Sequence, residues 1–105
     1  MDVEIVWTDF AKNELKSIFD YHKEKVSLKI ARQIAKAIVE ETEKLVHFPE
    51  KGQVEELLKA RSQEFRYIIS TNYKIIYWIN VQENRIEISD VFDTRQNPIK
   101  IKRNP

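Results

Sequence analysis

Between Tyr73 and Val81 the chain alternates as a strand does, yet both of its faces are largely apolar. A strand that is apolar on both sides must be covered on both sides, which makes it the central strand of a sheet. Its neighbours can be read from the same alternation. Upstream, Phe65, Tyr67 and Ile69 point one way and Arg66, Ile68 and Ser70 the other. Thr71-Asn72 supplies the turn between these two runs. Downstream, Gln82-Glu83-Asn84 turns into a third run, Arg85 to Phe92, with Ile86 and Ile88 facing inward and Glu87 and Ser89 facing out. The last third of the chain therefore predicts a three-strand antiparallel meander.

The first half follows a different rhythm. Glu4 to Trp7 is a short β-branched and aromatic run suited to a strand. Thr8 is an N-cap candidate, and Asp9 places a carboxylate at the positive end of a helix. Ala11, Leu15, Ile18, Phe19, His22 and Val26 then fall on one helical face. Ser27 is a second N-cap, followed by a stripe of Ala31, Ile34, Ala35, Ile38, Thr42 and Leu45. So short a break implies an antiparallel helical hairpin. Pro49 is expected to end the second helix by disfavouring helical geometry at Phe48, and Gly52, the one glycine of the chain, is expected to supply a turn. Gln53 to Ala60 reads as a short edge strand or an irregular run.

Packing these pieces predicts an α+β fold in which the N-terminal strand joins a four- or five-stranded, mainly antiparallel sheet and the hairpin lies across one face. The expected core is Leu15, Ile18, Phe19, Ile34, Ile38, Leu45, Ile75, Tyr77 and Ile88. The other face, edged by Arg66 and by the strand ends near Asp93 and Arg95, is expected to stay open and to carry function. At 105 residues the expectation is a single domain spanning 1–105.

Composition removes several function classes. With no cysteine there is no disulfide framework, thiol nucleophile or thiolate metal site. The two histidines, His22 and His47, are far apart, so no metal site is expected. A single glycine rules out a glycine-rich phosphate cradle. The acidic start MDVEIVW lacks the form of a signal peptide, and no apolar run approaches a membrane span; a cytoplasmic location is expected. Net charge is +1, which gives little support to a phosphate-tracking surface. From Arg61 onward, however, eight basic residues face five acidic ones, and no acid follows Asp93.

Three landmarks now stand in order: Leu45, Pro49 and Gly52 in an L-x-x-x-P-x-x-G junction; the strand Tyr73-Lys74-Ile75-Ile76-Tyr77; and the strand end Phe92-Asp93-Thr94-Arg95-Gln96-Asn97-Pro98. With the strand and two helices before them, they resemble the RelE/ParE toxins of bacterial type II toxin–antitoxin (plasmid stabilisation) modules, and more closely the ParE branch. The resemblance covers nearly the whole chain. It implies a toxin that inhibits DNA gyrase and is neutralised by a cognate antitoxin protein in a toxin–antitoxin hetero-oligomer, without a cofactor. The alternatives it leaves open are a RelE-like, ribosome-dependent mRNA interferase and a non-toxic member that only binds its partner.

The resemblance also points to residues. Arg66 aligns with the family arginine before the central hairpin, Lys74 with a basic position after its turn, and Arg95 with the arginine ending the last strand. In the interferase branch such cations stabilise phosphate charge, so these three are the catalytic candidates. No aromatic residue follows Phe92, so the C-terminal tyrosine of several interferases has no counterpart. With both histidines read as helical and away from the sheet, no general base is evident. As partner-binding candidates, Arg66, Arg95, Lys100, Lys102 and Arg103 would face an antitoxin segment rich in apolar and acidic residues. The bland readings are that Arg66 snorkels to solvent or pairs with a carboxylate such as Asp90 or Asp93, that Arg95 is a solvated loop arginine, that Tyr73, Tyr77 and Trp78 are core, and that the tail is a frayed basic end.

Overall fold

The computed structural model describes residues 3–104. β1 (Glu4–Trp7) leads into α1 (Asp9–Lys25) and α2 (Leu28–Glu43). Then come β2 (Gln53–Val54), β3 (Arg66–Ser70), β4 (Tyr73–Asn80) and β5 (Arg85–Asp93). Short 3₁₀ turns occupy Lys44–Val46, Pro49–Lys51 and Glu56–Leu58, and a longer one, Pro98–Arg103, follows the last strand. The sheet order is β1-β5-β4-β3-β2, which makes β4 central as its two apolar faces require. Every pairing is antiparallel except β1 with β5, which is parallel.

Both predicted caps form. Thr8 Oγ1 accepts from Ala11 N at 3.1 Å and donates to the Ile88 carbonyl at 3.1 Å, so the start of α1 is fixed to β5. Ser27 Oγ accepts from Ile30 N at 3.1 Å and opens α2. The hairpin covers one sheet face, with α1 over β5 and α2 over β3 and β4. Beneath it Ala11, Ile38, Leu45, Ile68, Tyr73, Ile75, Tyr77, Ile86, Ile88 and Val91 form the main core. Leu15, Ile18 and Ile34 pack at its margin, half-buried. Phe19 is half-buried and stands outside this cluster. Val26 is 62% exposed, because α1 ends at Lys25 and the residue caps it instead of continuing its stripe.

The second face is not open. Leu58, Phe65, Ile76, Phe92 and Ile101 form a smaller core there, with Leu57, Tyr67 and Trp78 beside it. The turns Glu56–Leu58 and Pro98–Arg103 cover it. The tail is thus a folded strap whose Ile101 is 2% exposed. A bulge explains how β5 serves both cores. Ile88 pairs with Tyr77 and Asp90 with Ile76, leaving Ser89 as the extra residue and shifting the alternation by one. Ser89, expected to face out, is buried.

Two more expectations change at the junction after the hairpin. α2 ends at Glu43 and passes into a 3₁₀ turn before Pro49 is reached, although Phe48 is indeed non-helical (φ −137°, ψ 71°). Gly52 is extended (φ −71°, ψ 155°), a conformation open to any residue. The site requires glycine for space: an added Cβ would lie 2.6 Å from Tyr77 Oη and 2.7 Å from the Tyr67 carbonyl oxygen.

Candidate functional site

The three catalytic candidates do not converge. Arg66, on β3, donates from Nη1 to the Gly52 carbonyl at 2.9 Å and from Nη2 to Glu64 Oε1 at 2.8 Å. It clamps the junction over Tyr77 and touches neither Asp90 nor Asp93. Lys74, on β4, faces the second core. Its Nζ donates to Glu55 Oε2 at 2.7 Å and sits 4.1 Å from the centre of the Tyr67 ring. The Glu55 side chain is only 4% exposed, so Lys74 neutralises a carboxylate that could not otherwise be buried.

Arg95 follows β5 and is fixed by its neighbour Asp93. Nε reaches Oδ1 at 3.0 Å, Nη2 reaches Oδ2 at 2.8 Å, and the Arg95 backbone N–H donates to Oδ1 at 2.9 Å. These bonds hold the Asp93 carboxyl down at about 2, with the Arg95 side-chain hydrogen bonds the largest cause. The same pairing pushes the Arg95 guanidinium pKa up.

In the tail, Arg103 is likewise committed. It forks onto Asp90 (2.9 and 3.0 Å), reaches Glu14 at 2.9 Å, and lies between the rings of Phe10 and Phe92. Burial pushes the Asp90 carboxyl up to about 6, with Arg103 opposing the shift. Lys100 and Lys102 are exposed and, among the described residues, in no ion pair.

Arg95 and Arg103 both line a cleft of about 370 Å³ between α1 and the end of the sheet. Ser17, Ile18 and Tyr21 line it from α1, and Tyr73 and Asp93 from the strands. At its edge is a contact the sequence reading missed: His22 Nε2 is hydrogen-bonded to Tyr73 Oη at 2.8 Å. His22 is therefore against the sheet. Its place on the apolar stripe of α1, beside Phe19, was the available signal. The Tyr73 phenol has its pKa raised by burial first and by Asp93 second, so it is a hydrogen-bonding group and a poor base. Both arginines of the cleft carry a bound carboxylate, which leaves its field close to neutral. Asp93 occupies Nε and Nη2 of Arg95, which leaves only Nη1 for an incoming phosphate, and Arg103 is held by both Asp90 and Glu14. No cluster of three metal-ligating side chains occurs among the described residues.

An α+β fold of helical hairpin on a five-stranded, mainly antiparallel sheet is the architecture of the RelE/ParE-like toxins. The chain belongs to the family of ParE toxins of the parDE type II toxin–antitoxin system, whose family model matches residues 5–98. A comparison with curated proteins found no match. Among solved structures, the chain is similar to one from the chromosomal ParDE system of P. aeruginosa. The TM-score is 0.71 and the identity 16%, over 87% of this chain and 95% of that one. It is also similar to the E. coli toxin RelE, solved as a double arginine-to-alanine mutant in the free state. There the TM-score is 0.63 and the identity 10%, over 98% of both chains. Among the described residues no helix is long and apolar enough to cross a membrane.

Proposed function

We propose that this chain is the toxin of a two-protein module, that it blocks DNA gyrase by binding, and that a cognate antitoxin neutralises it. The observation carrying the gyrase reading is the dispersal of the family cations. Arg66 braces a loop, Lys74 neutralises buried Glu55, and Arg95 is tied to Asp93. Phosphodiester cleavage needs cations and a base converging on one reacting atom, whereas inhibition by binding needs only a stable surface. Membership of the ParE family supports the same branch. The non-toxic alternative, binding the antitoxin alone, would appear as complex formation without effect on growth or gyrase.

The mRNA interferase remains the second reading, and one observation favours it. His22, hydrogen-bonded to Tyr73 beside the Arg95 cleft, is a candidate proton acceptor close to a family arginine. The test runs a gyrase supercoiling assay beside primer extension on translating ribosomes. The expected outcome is lost supercoiling with intact mRNA. Codon-positioned cleavage that disappears in His22→Ala and Arg95→Ala, with gyrase unaffected, would replace the gyrase reading with the interferase.

A further inference from the structure

The charges of α2 run against its own dipole. A helix favours acids in its first turn and bases in its last. α1 obeys, with Asp9 at its start and His22, Lys23 and Lys25 at its end. α2 has Lys29 in its first turn and no acid there, and its last turn carries Glu40, Glu41 and Glu43 and no base. Arg32 and Lys36, four residues apart on an exposed face, add a like-charge pair. Helix stability does not explain this arrangement.

The result is a concentration of cations at the hairpin tip. Lys23, Lys25, Lys29 and Arg32 are all exposed, and none forms an ion pair among the described residues. Of the nearby acids, Asp20 is already bonded to Lys16 at 2.7 Å, and Glu24, exposed between Lys23 and Lys25, offsets one of the four cations and leaves the tip with a net positive charge. Between these cations stand two exposed aliphatic side chains, Val26 at 62% and Leu28 at 40%. The tip is also held in one shape. The Val26 and Ser27 N–H groups both donate to the His22 carbonyl, at 2.8 and 3.0 Å, Ser27 caps α2, and His22 is bonded to Tyr73. A surface ordered before binding loses less entropy when it is occupied.

We propose that the hairpin tip is a docking surface for an acidic protein segment that presents an aliphatic anchor flanked by carboxylates. The anchor packs on Val26 and Leu28 while the carboxylates face Lys23, Lys25, Lys29 and Arg32. Val26 and Leu28 decide against nucleic acid: a phosphate backbone gains nothing from aliphatic contacts, and neither residue can stack on a base. The surface is distinct from the Arg95 cleft and does not depend on gyrase as the target.

The test uses fluorescence anisotropy with three labelled probes: a 14-residue peptide of glutamates and aspartates around two leucines, the same peptide with serines for leucines, and a 14-nucleotide single-stranded DNA. The leucine peptide is expected to bind at least tenfold more tightly than either other probe, with an affinity that falls with salt. Val26→Ser with Leu28→Ser should erase the leucine preference. Lys25→Glu with Lys29→Glu should weaken binding at least tenfold, and Lys12→Glu, a cation elsewhere, should leave it unchanged. Lys29→Glu alone should raise the thermal midpoint, because it places an acid in the first turn of α2. Equal binding of the two peptides, tighter binding of the DNA, indifference to the tip substitutions, or a lowered midpoint in Lys29→Glu would each overturn the proposal.

Discussion

Gly52 donates its backbone N–H to Tyr77 Oη at 2.9 Å, and that same oxygen donates to the Pro49 carbonyl at 2.6 Å. One phenol at the floor of the main core thus fixes the return from α2 into the sheet. Arg66 closes the arrangement from above through the Gly52 carbonyl. Gly52→Ala forces its Cβ into Tyr77 Oη and the Tyr67 backbone. It should cost about 1–3 kcal/mol as overpacking. Tyr77→Phe leaves the space but strands a buried N–H, at about 1–3 kcal/mol. Because both act on one contact, the double variant should lose less than the sum, and urea melts of all four proteins measure that coupling.

Ile38 and Ile75 are both fully buried and face each other's layer across the main core. Truncating either to alanine should cost about 2–5 kcal/mol. Val26, apolar but exposed at the hairpin tip, should lose less than about 0.5 kcal/mol on the same truncation. Chemical denaturation separates the two outcomes. A large loss at Val26 would mean that it is packed, contrary to its exposure.

The elements of this fold were readable because periodicity changes visibly along the chain. The stripe of α2 placed Ile38 and Leu45, and the two apolar faces from Tyr73 placed β4 at the centre of the sheet. The second core was not readable, because its parts are scattered through short 3₁₀ turns. Leu58 and Ile101 lie in runs too brief and too charged to show a period. That omission produced the expectation of an open face and a loose tail. The candidate site was legible only as residue types. Arg66, Lys74 and Arg95 were named, but the partners Gly52 and Glu55 depend on register and on the loop before β3, while Arg95 takes the local carboxylate of Asp93 two residues before it. The bulge at Ser89 has no local sequence signal, yet it determines which side Asp90 and Asp93 face.

Lys74 offers a way to separate a structural cation from a functional one. Its loss leaves Glu55 buried without a countercharge, so Lys74→Ala should destabilise the protein by about 3–5 kcal/mol. Lys74→Ala with Glu55→Gln should recover much of that loss. If toxicity also returns in the double variant, the lysine acts only through folding. Loss of toxicity from a double variant of near-parental stability would instead give Lys74 a role at the target.

The two carboxyls at the end of β5 should make stability depend on pH in opposite directions. Asp93 sits at about 2, below its ordinary 3.8, so the stability it contributes is present above about pH 4 and is lost as pH falls towards 2. Asp90 sits at about 6, above its ordinary 3.8. Between those values the folded state holds a proton that the unfolded state has released. Its contribution therefore declines as pH rises from about 4 to about 6 and is constant above that. Relative to Asp90→Asn, the parent should lose on the order of 2–3 kcal/mol across that window. Relative to Asp93→Asn, it should gain between pH 2 and 4 and then level off. Urea melts of the three proteins from pH 2 to 8 measure both curves. A parent-minus-Asp90→Asn difference that stays flat from pH 4 to 7 would mean that Arg103 compensates the burial of Asp90 in full.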